Sequence, residues 1–450
     1  MVTSSSVLPE PLVRNSGTAL IHNLCVGSEL MQWRRPSFIR KEQLRRLQHL
    51  LRYAQQYSPY YSDLLKAQDF TQLSWQQFSG LPVLSRETIR RQGASLDCEP
   101  VPSAHGRVSE TMTSGSTGSP VKVRTTQRVA AAWFANALRD HLWHGRDAAA
   151  TMAAIRWHSD KLGMAPEGIE SPDWGEPHAL FYRTGRGYFL NSSSSIHQQL
   201  QWLRKHRPDY LISHPSNLQS LLQALLSLGD GLPFLKQVRT VGESVSPDLR
   251  KLSQSVLGVG LVDFYSSQEL GYVALQCPQS EHYHVLSDSV VLEVVDETGE
   301  PCPPGKPGRV LLTSLHNYAT PLIRYDIDDR AVLGEACSCG RGLPVLKQVL
   351  GRSRNMVSMP GGGSKWPNLG FRAMMEVADI QQFQVVQHTL DRLELKLVLS
   401  EPLHAEQERQ LEEILRRYLE FHFRVDITYH AQIPRSASGK YEDFLNLLEK

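Results

Sequence analysis

Nowhere in the 450-residue chain do apolar side chains run to the length a membrane span needs, about 18 in succession. The opening stretch MVTSSSVLPEPLVRNSG has no apolar block of the secretory kind, so the expected compartment is the cytoplasm. Charge of one sign is not in excess. The 48 basic and 46 acidic residues leave a formal net charge of +2, which gives no electrostatic footprint for nucleic acid and no acidic tail. Cysteine is scarce. Six thiols, Cys25, Cys98, Cys277, Cys302, Cys337 and Cys339, are too few to staple a chain of this length with disulfides. There is no internal repeat, and the one low-complexity tract, NSSSS at 191–195, reads as a turn.

What remains is an ordinary globular composition, 41% hydrophobic and 21% charged, long enough for two or three cores. Residues 1–17 are polar and read as loose. Residues 40–67 place Leu44, Leu47, Leu50, Leu51 and Ala54 at helical spacing, and Ser58-Pro59 stops that helix. In LPVLSRETIRRQG (81–93), Ser85 opens a second helix, and a third spans 127–143. Then strand and helix alternate. DYLISH (209–214), LKQVRTVGES (235–244) and LVDFYSS (261–267) read as strands. NLQSLLQALLSLG (217–229) and SPDLRKLSQSVLG (246–258) read as helices. This repetition predicts a parallel α/β sheet, whose ligands bind at the carboxyl ends of the strands. From 284 the texture becomes antiparallel, and VVLEVVDETGEPCPPGKPGRVLLTSL gives two strands about a Pro/Gly turn. The last stretch, after MPGGGSKWP (359–367), predicts a small α+β unit.

One segment has hydroxyls and glycines but no aliphatic side chain to pack. TSGSTGSP carries Thr113, Ser114, Gly115, Ser116, Thr117 and Gly118. Glycines let backbone N–H groups turn toward an anion, and hydroxyls add donors, so the loop suits a phosphate. It is not a P-loop, because no Gly-Lys-Ser/Thr follows.

TSGSTGSP resembles the phosphate-binding signature of the acyl-adenylate-forming (ANL) superfamily. YSSQELG (265–271) resembles its aromatic-x-x-x-Glu motif, and PLIRYDIDD (321–329) its Tyr-Arg-x-Gly-Asp motif. GRSRNM (351–356) is similar to the hinge motif, and PRSASGK (434–440) to the motif ending in the catalytic lysine. The five occur in the family's order. The N-terminal YAQQYSPYYSDLL and LPVLSRETIR, with the cysteine cluster before the hinge, are similar to the phenylacetate–CoA ligase-like branch.

The resemblance implies a large N-terminal adenylate-forming domain, residues 1–351, with sheets sandwiched by helices. A small mobile α+β domain, residues 352–450, would carry the catalytic lysine. It implies activation of a carboxylic acid by ATP as an acyl-adenylate, then transfer to a thiol. Lys440, Glu269 and Thr117 would form the catalytic set, with Glu269 holding Mg²⁺ and loop 113–118 the β- and γ-phosphates. Gly242, Glu243, Ser244, Tyr265, Ser266 and Ser267 would bind adenine. Asp329 would take the ribose hydroxyls, with Asp326 and Asp328 as rivals, and Arg352 would lie near ribose or phosphate. Position 328, glycine in the usual motif, is Asp here, and the hinge acid expected at 354 is Arg. Trp157, His158, His214 and Asn217 are candidates for the acyl pocket.

Cys277, His284, Cys337 and Cys339 form two ligand pairs that could close a tetrahedral zinc site, with His282 as rival to His284. Four protein ligands leave no open position, so that metal would be structural.

Three readings follow. The first is an aryl or small-acid CoA ligase. The second adenylates an acid for a carrier-protein phosphopantetheine or an amine. The third is a nucleotide-binding scaffold with degenerate catalysis. The family's habit of dimerising makes a homodimer an expectation of the same kind.

Overall fold

The computed structural model describes residues 15–112, 121–158, 160–352, 355–365, 367–399, 401–434 and 441–448, with the side chain of Arg372 also outside the description. The loop Thr113–Gly118 and Lys440 therefore lie outside the described residues.

The amphipathic helix is Pro36–Tyr57, begun by a proline in its first turn and burying Leu47, Leu50, Leu51 and Ala54 completely. Each buried leucine contributes on the order of 1.5–3 kcal/mol. Ser58 ends it and caps the next helix, Pro59–Leu64, by accepting from Tyr61 N at 3.4 Å. Ser85 does the same for Arg86–Gln92, accepting from Thr88 N at 3.0 Å. The helix Gln127–Trp143 stands where its spacing placed it. Of the longer helices, Ser16–Met31 and Ile196–His206 were not legible.

The alternating middle forms a six-stranded sheet. Its order is Ile169–Ser171, Gly187–Asn191, Met152–Arg156, Tyr210–Ser213, Gln237–Thr240, Leu261–Val262, parallel throughout except for the first, antiparallel edge strand. Helices Pro215–Leu228 and Pro247–Leu257 pack on it through Leu218, Leu221, Leu222, Leu225 and Leu249.

The segment 261–267, read as one strand, is two. Leu261–Val262 ends the parallel sheet, and Phe264–Ser267 starts a seven-stranded antiparallel sheet. Asp263 marks the change. Its carboxylate accepts from the Thr240 hydroxyl at 2.8 Å and the Tyr283 hydroxyl at 2.7 Å, and its N–H donates to Gln276 at 2.8 Å. Val290–Val295, Pro307–Ser314, Tyr325–Leu333 and Val345–Arg352 complete one side of that sheet, Tyr283–Val285 and Gly271–Gln276 the other.

Beyond a hairpin of Val357–Ser358 with Ser364–Lys365, a four-stranded sheet of Arg424–Tyr429, Arg392–Leu399, Ile380–Thr389 and Phe444–Asn446 packs under the helix Ala405–Leu419. It has its own core around Phe383, Leu395, Leu411, Leu415 and Phe444.

Candidate active site

The carboxyl ends of the parallel strands, the first strand of the antiparallel sheet and the C-terminal unit face one another across a cleft of about 1630 Å³. His214 and Gly242–Ser244 follow parallel strands into it, as strand-end geometry predicts. Tyr441, Glu442 and Asp443, just past Lys440 in sequence, line its far side.

At the junction of three antiparallel strands, Tyr265, Asp329 and Arg352 meet. The Tyr265 hydroxyl donates to Asp329 Oδ2 at 2.6 Å, and Arg352 Nε lies 3.2 Å from Asp329 Oδ1. Asp329 and Arg352 are direct cross-strand partners. Burial, reinforced by the Asp329 charge, pushes the Tyr265 hydroxyl well above its ordinary pKa, so it donates and stays neutral. Burial opposes the charge on Arg352, but Asp329, Asp328 and Glu269 outweigh it and raise its pKa. Glu269 is buried in the same cleft wall.

The three acids of DIDD take different places. Asp326 is ion-paired to Arg309 at 2.9 Å and accepts from Asp328 N at 3.0 Å. Asp328 sits at φ +66°, the left-handed conformation that a glycine at this position adopts freely and that Asp tolerates better than most residues. Only Asp329, of the three, lines the cleft.

Glu243 has structural duties. Its carboxylate accepts from Ser216 N at 2.9 Å and Ser216 Oγ at 3.1 Å, at the start of the helix Pro215–Leu228, and from Tyr441 N at 2.8 Å. Ser244 Oγ donates to Leu350 O at 3.2 Å. Gly242, Ser266 and Ser267 line the cleft beside them.

Of the acyl-pocket candidates, Trp157 and His214 line the cleft, His214 with Nδ1 2.9 Å from Val241 O. Asn217 and His158 do not. Asn217 is buried, trading hydrogen bonds with Gln199 at 2.9 and 3.1 Å and donating to Ser213 Oγ at 3.1 Å. His158 turns a ring nitrogen to Asp160 N at 3.3 Å. The sequence reading missed Trp133, Arg239, Phe264 and Tyr272, which line the cleft with Arg156. A signal was present for Arg239, a cation inside the otherwise apolar strand segment QVRTV.

Away from the cleft, Cys277, His284, Cys337 and Cys339 place their ligand atoms within 4.8 Å of one another. Cys277 and Cys337 sulfurs are 3.8 Å apart, and Cys339 Sγ is 3.3 Å from His284 Nε2. Zinc–sulfur bonds of about 2.3 Å at tetrahedral angles hold two sulfurs about 3.8 Å apart, so the donor set fits such an ion. His282 is turned instead to Ser280 Oγ, 2.9 Å away.

Comparison with known proteins shows what the chain is similar to. Residues 369–446 match the CapK C-terminal domain model. The chain is 28% identical over 286 residues to a phenylacetate-coenzyme A ligase of Thermus thermophilus, covering 57% of this chain and 64% of that one. It is 28% identical over 258 residues to the Escherichia coli K12 enzyme of the same name, covering 55% and 56%. The chain is thus similar to phenylacetate-coenzyme A ligases over a little more than half of its length. The matched stretches span less than two thirds of these relatives' own length.

Among solved structures, 2-hydroxyisobutyryl-CoA ligase in its postadenylation state superposes with a TM-score of 0.69 at 20% identity, over 90% of this chain and 89% of that one. An anthranilate CoA ligase superposes with a TM-score of 0.56 at 16% identity, over 74% and 64%. Both share the adenylate-forming fold of a large unit with a C-terminal domain.

Proposed function

We propose that this adenylate-forming protein activates a carboxylic acid with ATP and passes the acyl group to a thiol, with coenzyme A as the acceptor. The observation that carries the reading is the convergence of Tyr265, Asp329 and Arg352 beside Glu269 on one cleft wall. A carboxylate held by a hydroxyl and a guanidinium is pre-oriented to accept a ribose diol. The relatives' names, phenylacetate-coenzyme A ligase, supply the reaction type.

In this reading a carboxylate oxygen of the acid attacks the α-phosphorus of ATP and pyrophosphate leaves. The thiolate then attacks the acyl carbon, and AMP leaves. Thr113–Gly118 grips the β- and γ-phosphates, with Thr117 beside the reacting phosphate. Glu269 ligates Mg²⁺, a hard cation suited to carboxylate and phosphate oxygens. Gly242, Ser244, Ser266, Ser267 and the Tyr265 ring flank the adenine. Lys440 neutralises charge developing between carboxylate and α-phosphate. A division near residues 351 and 352 lets the C-terminal unit serve both half-reactions. The cysteine–histidine cluster holds a structural zinc, and the reaction runs in the cytoplasm.

ATP–pyrophosphate exchange over a panel of acids, followed by offering coenzyme A or a phosphopantetheinylated carrier protein, tests this. Acid-dependent, Mg²⁺-dependent exchange and a CoA thioester are expected. Exchange followed by loading of the carrier alone moves the protein to the second acceptor class. No exchange with any acid leaves a nucleotide-binding scaffold.

A further inference from the structure

One end of the cleft carries more positive charge than its own carboxylates neutralise. Asp140, fully buried, is shared by two arginines, with Arg146 Nη1 at 2.7 Å and Arg239 Nη2 at 2.9 Å from the same oxygen. Despite its burial, Arg146 and Arg239 hold its pKa well below the ordinary range, so it supplies one full negative charge. The imidazoles around it add no compensating cations at neutral pH. Burial lowers His141 and His144 to about 4 and His178 to about 3. Asp263, which also acts on Arg239, is pushed up to about 6 by burial and is bonded to Thr240 and Tyr283.

A third guanidinium joins this group. Arg156 ends the strand Met152–Arg156 and opens onto the cleft next to Trp157. Among the described residues its guanidinium makes no hydrogen bond or ion pair. It is exposed to the cleft, near enough to Arg239 and Tyr272 to feel both.

The surroundings suit a planar organic body. Tyr272 stacks on Phe264 with centroids 4.8 Å apart and meets Trp133 edge-on at 5.4 Å. Arg239 lies 4.3 Å over the Phe264 ring and donates to the Tyr272 hydroxyl at 3.0 Å, while its buried Nε has no partner among the described residues. All these side chains line the cleft.

We propose that the acid this protein takes carries a second anionic group, which Arg156 binds at the aromatic end of the cleft with Arg239 supporting it. Resting on the adenylation reading, this names the substrate class as an acid whose planar body separates the reacting carboxylate from a distal carboxylate, sulfonate or phosphate. Arg156 is the specificity residue because its planar fork matches such a group and, among the described residues, its donors are uncommitted. Arg239 is a positioning residue, tied to Asp140 and Tyr272.

The test pairs binding with exchange. Calorimetric titration of the full-length protein uses benzene-1,4-dicarboxylate, 4-sulfobenzoate and uncharged 4-methylbenzoate, and separately ATP, on wild type, Arg156→Leu and Arg156→Lys. Wild type is expected to bind the two dianions at least tenfold more tightly than 4-methylbenzoate. Arg156→Leu loses that preference, Arg156→Lys keeps part of it, and ATP affinity is unchanged in both. Equal affinity for all three acids in wild type overturns the proposal, as does a loss in Arg156→Leu that falls on ATP instead. ATP–pyrophosphate exchange with the same acids separates the two claims. A dianion preference without exchange overturns adenylation and leaves the anion subsite standing. Exchange with no dianion preference does the reverse.

Discussion

Both carboxylate oxygens of Asp329 are engaged before any nucleotide arrives, one by the Tyr265 hydroxyl and one by Arg352 Nε. The first is a hydrogen bond to a charged group, worth about 1.5–3 kcal/mol, and the second is an ion pair. Asp329→Ala should therefore lower kcat/KM for ATP by ~10²-fold or more, read by pyrophosphate exchange, and an unchanged rate would remove Asp329 from nucleotide binding. Tyr265→Phe deletes one donor and keeps the ring, so KM for ATP should rise several-fold with kcat nearly intact. Lys440→Ala should abolish exchange without moving the unfolding midpoint. At this scale the sequence ranked the DIDD acids by motif alone. The fold separates them because Asp326 is neutralised by Arg309, from a neighbouring strand that no local pattern names. Trp133 and Arg239 went unseen for the same reason, since a cleft wall is assembled from distant segments.

The zinc-type cluster depends on how elements dock. Gly342 N donates to Gln32 O at 2.8 Å and Arg341 Nε to Gln32 Oε1 at 3.1 Å, joining the cysteine loop to the end of the first helix. A Cβ at Gly342 would stand 1.9 Å from Arg34 O. Gly342→Ala should accordingly destabilise by about 1–3 kcal/mol in urea unfolding, whereas unchanged stability would show that the loop shifts freely. Cys337→Ser should lower bound zinc and thermal midpoint together, because metal binding contributes folding free energy. Elements with a clean apolar stripe, such as Pro36–Tyr57, were legible. Ile196–His206 was not, because its cap, Ser195, hides at the end of a serine run that reads as a turn. The strand break at Asp263 was missed because apolar, strand-favouring residues, Leu261, Val262, Phe264 and Tyr265, flank it on both sides. Only the buried bonds to Thr240, Tyr283 and Gln276 make the chain change sheets there.

Across the whole molecule, buried histidines dominate the response to acid. Burial lowers His105, His141 and His144 to about 4 and His178 to about 3. Their unfolded values lie near 6.5, so the unfolded chain binds more protons between about pH 4 and 6.5, and stability falls as pH drops through that window. Asp263 and Asp443, both raised to about 6 chiefly by burial, act the other way, losing stability as pH rises from about 4 to 6. With His284 at about 4 and His316 at about 3, six histidines stand against three raised carboxylates, Asp263, Asp443 and Glu293, which gives net loss on acidification, measurable as a lower urea midpoint at pH 5 than at pH 7.

The cleft itself is a product of the whole fold, with two sheets from the large unit and the segment after Lys440 as its walls. The most direct measurement of what it binds is a crystal structure with a nonhydrolysable acyl-AMP mimic. The ribose hydroxyls should lie on Asp329 and the adenine between Tyr265 and Gly242–Ser244. A ligand seated elsewhere, or an empty cleft at saturating mimic, would contradict the account.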